Sequence, residues 1–194
     1  MIGVLVALAG VPFLGACAYL FALTLLSASL RTRLPEGPPA LRFGIVVPAH
    51  DEEAGIAATV RSLLALDYPR ELFRVFVVAD NCSDATASRA REAGATVLER
   101  HDLERRGKGY ALEYAFGVLL RDGRADALVV VDADTVVSRN LLTAFAHRLE
   151  DGEDAVQADY AVRNVFASWR TLLMSVALGL VHVVRPIARE RLRL

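Results

Sequence analysis

Two carboxylates separated by one small residue, Asp132-Ala133-Asp134, end the apolar run Leu128-Val129-Val130-Val131. A β-branched run of this kind reads as a buried strand. It delivers acid to the carboxyl edge of a sheet, where open α/β sheets bind ligands. Because strand side chains alternate faces, Asp132 and Asp134 are expected to point the same way and share one partner. A divalent cation suits such a pair, and oxygen-only ligation favours Mg2+ or Mn2+, which keep positions open for the phosphate oxygens of a substrate. The competing reading is a strand followed by a polar turn, with Asp134 or Ser138 opening the next helix. Asp-x-Asp alone is too short to separate the two.

Three further groups carry chemistry. Asp80 closes the apolar run that starts at Phe73 and is followed by Asn81, Ser83 and Asp84, residues that hold turns through their own side chains. It can accept a hydrogen bond from a base or ribose, or simply start the turn; Asp84 reads as a helix cap. Lys108 stands between Gly107 and Gly109 after Arg105 and Arg106, so backbone N–H groups can approach a phosphate there and the ammonium adds charge. The spacing is not that of a Walker loop, and a solvated basic turn is the alternative. In His50-Asp51-Glu52-Glu53, like charges repel unless solvated or shared with cations, so one or two side chains are expected in the site and the rest at a helix N-terminus.

The elements that must position these groups alternate. Strands are predicted over 43–47, 73–79, 95–98 and 128–132. Helices are predicted from Ile56 toward Asp67, over 85–93 with Gly94 as its stop, over 110–120 and over 138–149. Strands separated by helices of about ten residues imply βαβ crossovers and a mainly parallel sheet, with three acidic strand exits on one edge. A further strand is expected over 155–162.

Residues 1–30 contain no charged side chain. As a helix they would cover roughly 45 Å, more than the ~30 Å hydrocarbon core of a bilayer, and a transmembrane anchor is expected. The rival is a cleaved signal peptide, disfavoured by an n-region without Lys or Arg and by the length of the apolar run. Arg31, Arg33 and Arg42 follow, which places the remainder in the cytosol at the plasma (bacterial inner) membrane. Pro35 to Pro39 read as a short stiff linker. Near the end, Trp169 to Ile187 form an apolar helical face whose uncharged part, 171–184, is short for a second span. It is expected either packed on the domain or lying in the membrane interface. A net charge of −1 gives no basic excess for nucleic acid, and Cys17 and Cys82 make no disulfide framework.

Taken in order, Val46-Val47-Pro48-Ala49-His50-Asp51-Glu52-Glu53, Val77-Val78-Ala79-Asp80-Asn81-Cys82-Ser83-Asp84, Gly107-Lys108-Gly109 and Val130-Val131-Asp132-Ala133-Asp134 resemble the signature of the family 2 glycosyltransferases, the inverting enzymes related to cellulose, chitin and hyaluronan synthases. The resemblance covers residues 43–163. It implies a GT-A nucleotide-sugar fold in which Pro48, Ala49, His50 and Glu52 line the nucleotide pocket, Asp80 contacts the base and Lys108 sits by the nucleotide. Asp132 would face the ribose or sugar, and Asp134 would hold a Mg2+ or Mn2+ on the diphosphate of a nucleotide-sugar donor, a UDP-sugar by preference. The implied acceptor is a saccharide or lipid of the cell envelope. The family's later acidic motif, which supplies the general base, and its Gln-x-x-Arg-Trp motif are missing, so the base is expected beyond Leu194. The resulting layout is an anchor over 1–30, a linker over 31–40, a donor-binding domain over 41–165 and an amphipathic helical segment over 166–194.

Three rivals are separable. A haloacid-dehalogenase-type phosphatase would use Asp132-Ala133-Asp134-Thr135 but needs a lysine downstream, whereas the one lysine, Lys108, lies upstream. A nucleotidyltransferase would show a Gly-rich basic loop where Pro48 to Glu53 stand. A membrane-anchored, non-catalytic nucleotide-sugar binder is the remaining alternative.

Overall fold

The structure, a computed structural model, describes residues 2–27 and 40–192. Most of the expected linker lies outside them. The chain divides into two compact units, one of residues 34–156 and one combining 1–33 with 157–194. Helix α1 (Ile2–Ser27) opens the second of these.

The α/β unit runs β1 (Phe43–Ala49), α2 (Ile56–Leu64), β2 (Phe73–Asp80), α3 (Thr86–Glu92), β3 (Thr96–Arg100), α4 (Lys108–Asp122), β4 (Ala127–Val130) and α5 (Leu141–Glu150). All four strands are parallel, in the order β3-β2-β1-β4. Each alternation of an apolar run with an amphipathic helix thus became a βαβ crossover, as expected.

The alternating faces of β1 divide the core. Val46, with Phe76 and Val78 of β2, packs under Ala111, Ala115 and Leu119 of α4. Small residues on α4 let its backbone come close, and Gly44 completes the fit: a Cβ there would stand 2.8 Å from Leu119 Cδ2 and 2.9 Å from Leu128 Cδ2. On the other face Phe43 meets Tyr68 edge-on at 5.5 Å, and α2 buries Ile56, Val60 and Leu63. At the amino edge Arg42 and Asp126 clamp β1 to β4 through side-chain and backbone hydrogen bonds.

Two boundaries differ from expectation for physical reasons. β1 continues through Pro48, because the carbonyl of Val46 faces β4 and Pro48, two residues on, would turn its missing N–H to that same side, beyond the last paired residue of β4. No strand forms over 155–162; the segment finds no ladder partner among the described residues, and an unpaired strand is not stable by itself.

In the other unit, Gln157 Nε2 lies 3.2 Å from His182 Nδ1, and Tyr160 stacks at a tilt on the same ring. Helix α6 (Trp169–Gly179) starts at Ser168, which forms a reciprocal capping box with Thr171. A π-helical turn over Leu180–Val184 joins it to α7 (Arg185–Leu192). The continuous helix carries the apolar stretch past its first charge, so it is longer than the uncharged run 171–184. Gly10–Ser27 and Trp169–Arg189 are each long and apolar enough to cross a membrane by length and composition, and only 6% of each is buried. α7 packs against α1, with Leu23 and Ala188 buried.

Candidate active site at the carboxyl edge of the sheet

The strand order reverses between β1 and β4, since the chain steps from β1 to β2 to β3 in one direction and then crosses back to β4 on the far side of β1. In open α/β sheets a ligand crevice lies at the carboxyl ends of two such strands. Pro48 and Ala49 end β1, the turn carrying Asp132 and Asp134 follows β4, and the N-terminus of α4 carries Lys108.

Lys108 Nζ forms an ion pair with Asp132 Oδ1, tying the start of α4 to the exit of β4. Gly107 has φ +113, and a Cβ at Gly107 or Gly109 would meet nothing within 4 Å, so the approach to these amides is open. β4 ends at Val130, two residues before the first aspartate. Strand alternation therefore does not orient Asp132 and Asp134; a tight turn does, closed by Thr135 N–H donating to Asp132 O at 3.1 Å. Buried Thr59 of α2 holds this turn from beneath, its hydroxyl donating to the Ala133 carbonyl at 2.6 Å. Asp134 is exposed, and its carboxylate has no protein partner among the described residues.

The other side of β1 carries a second cluster. Asp80 and Arg100 are both buried, and Arg100 Nη1 donates to Asp80 Oδ1 at 2.6 Å. Asn81 Nδ2 donates to the same oxygen at 3.1 Å, leaving Oδ2 of Asp80 for another donor. Arg100 also reaches Asp102 at 2.9 Å. The hydrogen bond to Asp80 foremost raises the guanidinium's affinity for its proton, whereas the Arg105 backbone N–H foremost lowers the pKa of Asp102. Arg100 and Asp102 were not foreseen from the sequence. The signal lay in register: β2 and β3 run parallel with Asp80 opposite Arg100, so two strand-ending charges of opposite sign stand side by side.

The acidic run after β1 acts largely as loop stitching. Asp51 Oδ1 accepts from Ser83 N at 2.7 Å, Glu53 Oε2 from Ala85 N at 3.0 Å, and Asp84 Oδ2 from Glu53 N at 3.0 Å. Glu52 N donates to Thr86 Oγ1 at 2.8 Å. Partial desolvation pushes the pKa of Asp84 up, but the bonds from Thr86 and Glu53 outweigh it and the net shift is downward. His50 is exposed, with Nδ1 2.8 Å from the Asp80 carbonyl, while Pro48 and Glu52 are half-buried and Ala49 is buried. The structure thus joins Lys108 to Asp132 and His50 to Asp80 in two clusters. β1 stands between them, so they are roughly 10 Å apart, two strand spacings. A shallow cavity of about 300 Å3 adjoins the second cluster, running from Arg100 and Asp102 along α4 past Tyr110 and Tyr114 to Arg121.

An α/β sheet of this order, with acid and lysine at its switch point, has the GT-A glycosyltransferase fold of its structural neighbours. A model of the family described as Glycosyltransferase like family 2 matches residues 38–194, and the chain belongs to that family. It is 31% identical over 137 residues to beta-monoglucosyldiacylglycerol synthase of Synechocystis sp., covering 62% of this chain and 28% of that protein. It is also 31% identical over 111 residues to the low-salt glycan biosynthesis hexosyltransferase Agl6 of Haloferax volcanii, covering 57% of this chain and 25% of that protein. The chain therefore spans about a quarter of the length of these relatives. Among solved structures, the mannosyltransferase PcManGT of Pyrobaculum calidifontis, in complex with GDP-Man and Mn2+, superposes with a TM-score of 0.59 at 25% identity, over 88% of this chain and 48% of that one.

Proposed function

We propose that residues 41–165 are the donor-binding domain of an inverting glycosyltransferase, taking a nucleoside diphosphate sugar, preferentially a UDP-sugar, and serving a saccharide or lipid acceptor at a membrane. The observation that carries this reading is the switch-point pair: Asp132 engaged by Lys108, and Asp134 beside it exposed, without a protein partner among the described residues. An all-oxygen donor set at an open edge fits Mg2+ or Mn2+, and the solved mannosyltransferase with GDP-Man and Mn2+ supports the same chemistry. In this reading Asp134 and Asp132 would hold the cation. When bound, it would offset charge on the departing diphosphate. Lys108 and the open amides of Gly107 and Gly109 then favour a phosphate approaching the N-terminus of α4. Pro48, Ala49, His50 and Glu52 form the wall of the nucleotide pocket.

Asp80 reads the base. With Oδ1 committed to Arg100 and Asn81, its free oxygen accepts from a ring N–H, which uracil and guanine present and cytosine and adenine do not. No described residue is assigned as the general base. Residues 1–30 and 166–194 supply the membrane contact, with the α/β unit on the cytosolic side. Calorimetric titration of the full chain in detergent with UDP, GDP, CDP and ADP, each with Mn2+, tests the proposal. UDP or GDP binds and the other two do not; equal binding of all four overturns the role of Asp80.

A further inference from the structure

His50, Asp51 and Cys82 meet where the loops after β1 and β2 cross, with their candidate ligand atoms all within 4.8 Å of one another. Three different donors converge there, an imidazole, a carboxylate and a thiol, and the loop hydrogen bonds already orient two of them. The Asp80 carbonyl 2.8 Å from His50 Nδ1 can only accept, so Nδ1 carries the proton. With its proton on Nδ1, the neutral tautomer of the ring presents the lone pair of Nε2, which lies 3.9 Å from Asp51 Oδ2. This is the arrangement that fixes the tautomer and rotation of a metal-ligating histidine, in which the far nitrogen donates to a backbone carbonyl. Asp51 is held in the left-handed region at φ 52; Ser83 N–H donates to Oδ1 at 2.7 Å, and Oδ2, which faces the ring, accepts from the Ser83 hydroxyl at 3.2 Å. Cys82 Sγ makes long contacts to two backbone carbonyls, 3.5 Å to Ala49 and 3.9 Å to Asp80.

We propose that His50 Nε2, Asp51 Oδ2 and Cys82 Sγ form a site for a borderline-soft divalent cation of the Zn2+ class, separate from the oxygen-only pair Asp132 and Asp134. Thiolate with imidazole selects Zn2+ over Mg2+ or Mn2+, and three protein ligands leave the fourth tetrahedral position to water. Bonds of ~2.0–2.3 Å to a tetrahedral ion put ligand atoms about 3.3–3.8 Å apart, and with one ligand atom of each residue already within 4.8 Å of the others, and His50 Nε2 3.9 Å from Asp51 Oδ2, side-chain rotation closes the set. The His50 and Asp51 side chains are 65% and 40% exposed, which gives an ion a path in. Of the neighbouring acids, Glu53 and Asp84 are engaged by backbone N–H groups and so do not complete an all-oxygen alternative.

The test uses Co2+ as a spectroscopic stand-in for Zn2+ on the full chain in detergent, with a phosphine rather than a thiol as reductant. A thiolate-to-cobalt charge-transfer band saturates at one equivalent and is displaced by Zn2+. It disappears in Cys82→Ser and weakens at least about tenfold in affinity in His50→Gln and Asp51→Asn. The band persists in Cys17→Ser and in Asp134→Ala, which separates this site from the donor cation. No thiolate band in the wild-type protein, or a band that survives Cys82→Ser, overturns the proposal while leaving the donor site untouched.

Discussion

Thr59→Val removes one hydroxyl and tests whether the Asp132 to Thr135 turn is positioned from below. The Thr59 side chain is buried and its hydroxyl donates at 2.6 Å to the carbonyl of Ala133, itself buried. Valine fills the same volume, so packing is conserved and the loss falls on the hydrogen bond. A buried carbonyl left without a donor costs about 1–3 kcal/mol. Thr59→Ser keeps the hydroxyl and loses a methyl group, about 1 kcal/mol. The two variants therefore separate in function more than in stability. In Thr59→Val the turn must be re-ordered on binding, and Mn2+-dependent UDP affinity falls about tenfold, equivalent to ~1.4 kcal/mol; Thr59→Ser holds it near wild type. Urea unfolding at constant slope gives the stability difference, and calorimetry gives the affinity. Equal UDP affinity in Thr59→Val and Thr59→Ser, or wild-type stability in Thr59→Val, refutes the reasoning.

Arg100→Gln leaves the buried Asp80 carboxylate without its charge partner, so it lowers stability more than Thr59→Val does and weakens UDP binding with and without Mn2+; thermal melting and calorimetry check both. Hydrogen bonds from the side chain and then the backbone of Arg42 depress the pKa of Asp126 from 3.8 to about 2. A depressed carboxylate stabilises the fold above its unfolded pKa, so this contribution is present above about pH 4 and is lost as pH falls through about 2. The side chains are 50% and 36% exposed, and the pair contributes less than ~1 kcal/mol. The difference in melting temperature between wild type and Asp126→Asn therefore shrinks from pH 6 to pH 2, and added salt shrinks it at pH 6.

Strand-to-helix alternation was legible because each strand is a short apolar run ending in a polar residue, and each helix buries one stripe. The parallel order followed from the crossovers. The placement of Asp132 and Asp134 was legible as a location but not as a conformation: the apolar run continues through Val131, whereas pairing stops at Val130 and a turn takes over. Asp51 and Glu53 read as part of a repelling run because composition shows their charge but not the backbone N–H groups that the facing loop offers them. Arg100 stayed hidden because its partner is set by the register between β2 and β3. The strand expected over 155–162 failed because a strand needs a ladder neighbour, and none is present among the described residues.

The central claim is that Asp134 anchors a cation on the diphosphate of the donor. Calorimetric titration of UDP into the full chain, with Mn2+ and with chelator, in wild type and in Asp134→Ala, addresses it most directly. UDP binding to the wild type strengthens sharply with Mn2+, and binding to Asp134→Ala, through Asp80 and Lys108, is weak and metal-independent. Equal UDP affinity in the two proteins in the presence of Mn2+, or wild-type binding unaffected by chelator, contradicts it.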